Sequence, residues 1–318
     1  MSLKIIKTGL LDTLQDLGRY GHQQQGINPG GVMDRFSASL ANALLGKGPG
    51  APVVELHFPA AQILFEKAAV ICLTGAHFTP VINDKEILLY QPIIINQGSV
   101  LRFDKWKGGA RCYLSVLQNF VIDQWLDSYS TNLRAEAGGY SGRRLLKGDV
   151  LQLESTINFG TAKDFETLPW KYHTEESGSD EIEFTVGNEW NWLTTKSQTA
   201  FLNNEYTVTP ASDRMGYTLS GEALEQTIKD SLISSAVTFG TVQLLPGGQL
   251  IILMADHQTV GGYPRVAHVI SAHLPKLAQR KAGDKIKFAI TDVHAAQKKL
   301  IAQQNYLLRL QNTCNLKM

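Results

Sequence analysis

The sequence predicts a mainly β fold with a few short helices. Nine short, mainly apolar segments have the length and composition of strands: residues 62–66, 69–73, 92–95, 100–103, 111–116, 150–154, 181–186, 249–254 and 285–290. Glycine, asparagine, aspartate and proline separate them, as is typical of tight turns between strands. The regular alternation of strand and helix that a doubly wound parallel sheet requires is missing.

Two segments have helical periodicity instead. Residues 34–46 place Phe36, Leu40 and Leu44 on one face; Asp34 stands at the N-cap position, and Gly46 stands where the helix would end. The tail over 293–310 repeats apolar residues near helical spacing, which predicts a surface helix packed on a barrel.

The chain is expected to form two β-barrel lobes, residues 1–165 and 166–318, the second carrying the C-terminal helix. Residues 145–154 and 280–290 each contain a Gly-Asp pair that leads into an alternating strand, a weak internal repeat. Between them, residues 163–184 are polar and acidic enough to connect the lobes.

Composition excludes several functional classes. The 318 residues carry a formal net charge of +1 and no basic block, so neither nucleic acid nor a membrane surface is an expected partner. The apolar runs are too short to cross a bilayer, and the N-terminus does not resemble a secretory signal. Three widely spaced cysteines and scattered histidines predict no disulfide framework and no metal site. A cytoplasmic protein is expected.

Two glycine-rich stretches of the first half carry candidate ligand-binding residues. The first, residues 15–34, contains Asp16, Arg19 and Asp34; an Asp–Arg pair that only fixes a turn is an equally good interpretation. The second, residues 138–144, contains Arg143, whose guanidinium could bind a carboxylate or phosphate or could simply be solvated.

Two further stretches of the second half are candidates. Asp213 and Arg214 adjoin in a predicted loop, where they form either a proton-transfer site or a structural ion pair. Residues 255–264 follow a predicted buried strand with polar side chains and two glycines, an arrangement typical of ligand loops as well as of capped turns. This stretch supplies the candidates Gln258, Thr259, Gly261, Gly262 and Tyr263.

Taken in order, these stretches resemble one family. The segments QDLGRYG, GVMD, LANALLG, GARCYLSV, SGRRLLKGD, SDRMGY, DHQTVGGYP and GDKIKF are similar to the KipA family, also known as the 5-oxoprolinase C subunit (PxpC), allophanate hydrolase subunit 2-like or biotin-dependent carboxyltransferase proteins. Three positions depart from the family pattern: Arg35 follows the Met-Asp pair where proline is common, Lys47 replaces asparagine, and Val260 replaces threonine.

The resemblance implies a cyclophilin-like β-barrel architecture and an enzyme subunit. Such proteins act beside a KipI-like subunit (PxpB) and a LamB/YcsF-like subunit (PxpA) in an ATP-dependent 5-oxoprolinase, which opens 5-oxoproline to glutamate. No ATP-binding loop occurs in this sequence, so ATP is expected to act through the complex. Two alternatives remain: a biotin-dependent carboxyltransferase subunit of the urea amidolyase type, or a non-enzymatic antagonist of a KipI-like kinase inhibitor.

For lactam opening, the residues divide into two expected groups. Arg214 and Arg143 would bind an anion. Gln258, Thr259 and the Gly261-Gly262 backbone would donate hydrogen bonds to the developing oxyanion. Asp213 or Asp34 would orient an arginine or move a proton. Asp213, Arg214, Gln258 and Thr259 are thus the predicted catalytic residues. The predicted substrate-binding residues are Asp16, Arg19, Asp34, Arg143, Gly261, Gly262 and Tyr263.

Overall fold

The structure is a computed structural model that describes residues 2–154, 164–173, 180–228, 230 and 232–316. The residues group by their mutual contacts into two compact units. Unit 1 comprises residues 1–19, 34–174 and 304–318, and unit 2 comprises residues 20–33 and 175–303. The predicted connection over 163–184 lies partly outside the described residues, and the boundary at 165 and 166 stays a prediction.

Unit 1 is built from two antiparallel six-stranded sheets. Its strands are β1 Ser2–Lys7, β2 Thr13–Gln15, β3 Val53–Leu56, β4 Gln62–Phe65, β5 Ala69–His77, β6 Pro80–Ile82, β7 Lys85–Glu86, β8 Ile93–Ile95, β9 Val100–Phe103, β10 Gly108–Val116, β11 Val150–Gln152 and β12 Phe165–Thr167. The first sheet has the order β11-β1-β4-β9-β6-β7 and the second β12-β8-β5-β10-β3-β2.

The two sheets contribute alternate apolar side chains to one shared core, which includes Ile5, Phe65, Leu73 and Leu114. Burial of these faces against each other is the main source of stability for such a layered arrangement. The second sheet also carries helix α1, Arg35–Leu44, on its other face, where Leu40 and Leu44 pack with Cys72.

Unit 2 contains a closed seven-stranded barrel in the order β13-β20-β17-β18-β15-β14-β21. The strands of unit 2 are β13 Ile182–Val186, β14 Glu205–Val208, β15 Gly216–Ser220, β16 Ser235–Ala236, β17 Thr241–Leu244, β18 Leu250–Leu253, β19 Val260–Gly261, β20 Arg265–Val269 and β21 Lys285–Ile290. Strands β16 and β19 form a separate two-stranded sheet. Aromatic rings, among them Phe184, Phe201 and Phe288, fill the barrel core.

Three further helices complete the fold: α2 Thr195–Asn203, α3 Leu274–Ala278 and α4 Val293–Asn315. The mainly β class is confirmed, and all nine predicted strand segments contain strands. The predicted helices are also confirmed, with Asp34 accepting a hydrogen bond from the Ser37 amide at 2.8 Å as the N-cap of α1. Helices α2 and α3 had no predicted counterpart.

The internal repeat noted in the sequence is a repeated turn. In unit 1, the amide of Gly148 donates to the carbonyl of Ile5 at 2.8 Å, and the carbonyl of Asp149 accepts from the Ile5 amide at 2.9 Å. In unit 2, Gly283 and Asp284 make the same two bonds to Val208, each at 2.9 Å. Both glycines have left-handed φ angles, 99° and 90°. Each turn therefore attaches a strand to its antiparallel neighbour in the same way.

Candidate functional site

The predicted stretch around Asp213 and Arg214 meets the predicted stretch of residues 255–264 at one end of the barrel of unit 2. Strands β15 and β18 are antiparallel with Gly216 opposite Leu253, so the residues before β15 and after β18 leave the sheet together. Two backbone hydrogen bonds continue the pairing: the Met254 amide donates to the Met215 carbonyl at 2.9 Å, and the Asp256 amide donates to the Arg214 carbonyl at 2.8 Å.

The side chain of Arg214 is held in a buried ion pair. Its Nε donates to Oδ2 of Asp256 at 2.8 Å, and its Nη2 donates to Oδ1 of Asp256 at 3.0 Å and to the carbonyl of Gly31 at 2.6 Å. Only 5% of Arg214 is exposed. A guanidinium bound in this forked manner is fixed in position and orientation.

Asp213, expected as an orienting or proton-carrying group, caps a turn in the structure. Its Oδ1 accepts hydrogen bonds from the amides of Met215 at 2.7 Å and Gly216 at 3.2 Å, and the residue is exposed. The carboxylate that orients Arg214 is Asp256, which was not among the predicted site residues. The sequence offered one indication of Asp256, namely its position after a predicted buried strand. The pairing of β15 with β18, which brings Asp256 to Arg214, could not be derived from the sequence.

The loop of residues 258–263, called the 258–263 loop below, carries the predicted hydrogen-bond donors. Gln258 and Thr259 are half-buried, and Tyr263 is 45% exposed. Before the loop, the Nδ1–H of buried His257 donates to the Gln258 carbonyl at 2.5 Å. The loop then pairs through β19 with β16.

In unit 1, the structure joins the first predicted stretch to a loop over residues 125–143. Asp16 accepts hydrogen bonds from the amides of Gly18 and Tyr129, at 2.8 and 2.7 Å, and from the hydroxyls of Ser128 and Ser130, at 2.7 and 2.5 Å. A carboxylate that accepts four hydrogen bonds from its own chain stabilises the loop.

Arg19 is buried beside this loop. It donates from Nη2 to the Ser130 carbonyl, and its Cζ lies 4.6 Å from the centroid of a Trp125 ring. Such stacking combines cation–π attraction with burial of the planar guanidinium. Asp16 and Arg19 therefore lie in one cluster, in which each binds groups of the loop.

The other two predicted residues of unit 1 have structural partners. Arg143 forms a bidentate pair with Asp149, with 2.6 Å from Nη1 to Oδ2 and 2.8 Å from Nη2 to Oδ1, and its side chain is 40% exposed. This pair keeps the pKa of Arg143 above its usual value through the hydrogen bond to Asp149. Asp34 caps α1, and its amide donates to the hydroxyl of Tyr113 at 2.8 Å.

A second ion pair stands on the barrel next to the 258–263 loop. Glu189 accepts from Nε and Nη2 of Arg265 at 3.0 and 2.8 Å. Burial opposes ionisation of Glu189, but the hydrogen bonds and charge of Arg265 outweigh it, so the pKa of Glu189 lies below its usual value. Burial, aided by the charge of Arg265, lowers the pKa of nearby His268, which favours the neutral imidazole.

An open cavity of about 590 Å³ in unit 1 is lined by none of the predicted residues, but by Asn83, Lys85, Asn96, Gln97, Gly98, Ser99 and Asp164. Within the described ranges, no group of three or more His, Cys, Asp or Glu side chains is arranged to hold a metal ion. In the same part of the chain, every helix is too short or too polar to span a membrane.

Comparison with known proteins gives the family. The chain matches the carboxyltransferase domain family, subdomains A and B, over residues 25–290. It is 37% identical over 295 residues to the 5-oxoprolinase C subunit of Haemophilus influenzae, with 93% of each chain covered. It is 33% identical over 309 residues to the 5-oxoprolinase C subunit of Escherichia coli K12, with 97% of each covered.

A solved structure agrees with this match. The K. lactis urea amidolyase has a TM-score of 0.87 and 26% identity to the chain, covering 97% of this chain and 20% of that one. The motif resemblance is thereby confirmed: the chain belongs to the carboxyltransferase-domain family, together with the proteins known as 5-oxoprolinase C subunits.

Proposed function

We propose that this chain is the C subunit of an ATP-dependent 5-oxoprolinase that converts 5-oxo-L-proline to L-glutamate. The observation that carries the proposal is the match to two 5-oxoprolinase C subunits, which covers at least 93% of this chain and at least 93% of each relative. In contrast, the chain spans only 20% of the K. lactis urea amidolyase. KipI-like and LamB/YcsF-like subunits are the proposed partners, and the cytoplasm is the proposed location.

The chemistry that the proposal requires is stabilisation of a charged carbonyl oxygen. Opening of a lactam makes its carbonyl carbon tetrahedral and places negative charge on the oxygen, which fixed hydrogen-bond donors stabilise. ATP, bound through the complex, would activate this carbonyl. The side chains of Gln258 and Thr259 are half-buried at the loop surface, so they can contact a ligand.

The role proposed for Arg214 is narrower than direct substrate binding. Because Asp256 and Gly31 hold its Nε and Nη2 atoms, the guanidinium and its carboxylate partner form a fixed dipole in the chain segment that leads into the 258–263 loop. A fixed dipole costs no reorganisation when negative charge develops during the reaction. Asp213, exposed in its turn, is proposed only as a proton carrier at the surface of this site.

The decisive experiment measures glutamate release from 5-oxoproline with ATP. The chain is assayed alone, then with the KipI-like subunit, then with the LamB/YcsF-like subunit added. Release only in the complete mixture supports the proposal, whereas rapid turnover by the chain alone contradicts the requirement for a complex. A stable complex without release contradicts the 5-oxoprolinase function.

Within an active complex, Gln258→Ala should lower kcat about 100-fold, the scale of losing one oxyanion donor. Exposed Gln297 on α4 provides the control, because Gln297→Ala removes the same amide outside the site. Equal kcat values for the two variants would show that Gln258 is not a catalytic residue.

A second candidate function is transfer of a carboxyl group from carboxybiotin. The family match to carboxyltransferase domains and the TM-score of 0.87 with urea amidolyase favour it. Under this alternative the biotin must come from another protein. If 5-oxoproline is not a substrate, carboxylation of urea or a related amide by added carboxybiotin is the next assay. Binding of the KipI-like protein without either activity would favour a non-enzymatic antagonist of that protein.

A further inference from the structure

Gln243, which none of the sequence patterns singled out, lies on a rigid part of the barrel beside the 258–263 loop. Its strand, β17, is paired on one side with β18 and on the other with β20. The neighbouring Val242 and Leu244 belong to the barrel core, so Gln243 points to the outer face. It is nevertheless only 1% exposed.

The loop covers the amide group of Gln243. Nε2 donates to the carbonyl of Tyr263 at 3.3 Å. A Cβ atom added to Gly261 would lie 2.6 Å from the same Nε2 atom, closer than real contacts allow. An alanine at position 261 would therefore displace the end of the Gln243 side chain.

The remaining contacts of the loop involve a surface segment. Its backbone pairs with β16, and the Thr259 carbonyl accepts from the Val237 amide at 3.2 Å. Gly262 approaches Ser234 and the Leu232 carbonyl. At its C-terminal end the loop is joined to strand β17 by two hydrogen bonds: Nε2 of Gln243 donates to the Tyr263 carbonyl, and the Leu244 amide donates to the Pro264 carbonyl at 2.9 Å. Gln243 supplies the side-chain bond of the two.

We propose that Gln243 is a positioning residue that holds the 258–263 loop in the conformation needed for catalysis. Gln243 does not contact the substrate; it acts through the Tyr263 carbonyl and the Gly261 backbone, and thereby sets where Gln258 and Thr259 stand. The catalytic consequence rests on the proposed function, whereas the effect on the loop does not. Small displacements of catalytic groups lower rates by up to about 100-fold, so the amide contact is expected to matter.

The test compares two readouts in the same variants. Hydrogen exchange of the backbone amides of residues 258–263 is measured in the chain alone, and kcat and KM are measured in the complete complex. Gln243→Met keeps the length of the side chain but removes the donor. Thr207→Val is the matched control, because Thr207 also stands on a barrel strand, β14, but three strands away from β17 in the barrel order.

Gln243→Met should accelerate exchange in the loop about fivefold or more, as expected for the loss of one hydrogen bond, and should lower kcat about 10-fold or more with a smaller change in KM. Gly261→Ala should have a similar effect because its methyl group displaces the amide. In a Gln243→Ala background, Gly261→Ala should cost nothing further, since the group it displaces is gone.

Loop exchange in Gln243→Met at the wild-type rate would overturn the proposal. Faster exchange with unchanged kcat would show that Gln243 orders a loop that the reaction does not use, and would overturn the catalytic role. If the wild-type complex releases no glutamate, the proposed function fails; the exchange measurement then still decides whether Gln243 positions the loop.

Discussion

At the scale of single residues, Arg214 and Asp256 show how a site residue depends on a partner that is distant in sequence. Forty-two positions separate them, but the β15–β18 pairing places the carboxylate against the guanidinium. Arg214 is 5% exposed, so loss of Asp256 would leave a buried charge without its main counter-charge. Such a loss is much more costly than the loss of a surface ion pair.

We therefore expect Asp256→Asn to lower the free energy of unfolding by about 3 kcal/mol. The control is Asp213→Asn, which should cost less than about 1 kcal/mol, because asparagine can still accept the two turn hydrogen bonds at an exposed position. Urea unfolding of both variants measures the difference. Equal stabilities would show that the Arg214–Asp256 pair does not stabilise unit 2.

Asp12 gives a residue-scale prediction about pH. It is fully buried and accepts from the amides of His57 at 2.9 Å and Ala61 at 2.6 Å, yet burial raises its pKa to about 7, against the lowering effect of these hydrogen bonds. Between pH 4 and 7 the folded chain thus keeps a proton that the unfolded chain has lost. Stability from this group is complete below pH 4 and is lost as the pH rises through 7.

The corresponding measurement is the unfolding free energy of wild type and Asp12→Asn from pH 4 to pH 7. Wild type should lose stability relative to the variant over this range, because asparagine does not titrate. A difference between the two proteins that is constant with pH would contradict the raised pKa.

At the scale of elements, the repeated Gly-Asp turn explains why two short strands attach to their sheets in the same manner. The side chain of each aspartate also closes its turn: Oδ2 of Asp149 accepts from the Leu146 amide at 2.8 Å, and Oδ2 of Asp284 accepts from the Lys281 amide at 2.9 Å. Each glycine provides the left-handed conformation, which other residues adopt only with strain.

Gly283→Ala should consequently lower the stability by about 1 kcal/mol, entirely through backbone strain, because an added Cβ meets no atom within 4 Å. Gly247 offers a control in the same unit: its Cβ would also meet no atom within 4 Å, but its φ lies outside the left-handed region. Gly247→Ala should be neutral or slightly stabilising. Thermal unfolding of both variants tests this, and equal losses would contradict the strain argument.

Elements with a strong local pattern were predictable from the sequence, and elements that depend on tertiary contacts were not. The apolar run within 111–116 and the alternation of 285–290 mark β10 and β21 directly. Helix α2 escaped prediction because only Ser197, Ala200 and Phe201 of its nine residues are buried, which leaves little periodicity. Strand β16, two residues long, exists only through its pairing with β19.

The same distinction applies to the candidate site. The loop composition indicated Gln258, Thr259 and the two glycines, because polar and glycine residues after a buried strand form a local signal. Asp256 as the partner of Arg214, and Gln243 beneath Gly261, depend on strand register and on which face of β17 a side chain occupies. These relations are non-local, and a single sequence does not contain them.

At the scale of the whole molecule, each compact unit includes segments from distant parts of the chain. Met33, from the segment 20–33, belongs to the barrel core, and the Gly31 carbonyl binds Arg214. In unit 1, Cys314, Leu307 and Leu310 of α4 pack with the core beneath α1. The barrel core and the apolar cluster around α1 therefore each include residues from both halves of the sequence.

Separate fragments of residues 1–165 and 166–318 should each be destabilised, because the first lacks the α4 residues that pack in the cluster around α1 and the second lacks Met33 of the barrel core. Mixing the two fragments should restore cooperative unfolding. Circular dichroism during heating provides the measurement for each fragment, their mixture and the intact chain. A single fragment that unfolds as cooperatively as the intact chain would show that the interleaved segments contribute little.

The interleaved segments also constrain folding during translation. Residues 20–33 leave the ribosome long before the barrel strands that enclose Met33, and unit 1 must wait for residues 304–318. Synthesis of the intervening residues 175–303 takes roughly 6–26 s at 5 to 20 residues per second. During this interval the apolar surface that α4 later covers is exposed to chaperones and to other nascent chains, so newly made copies are most vulnerable to aggregation until α4 has packed.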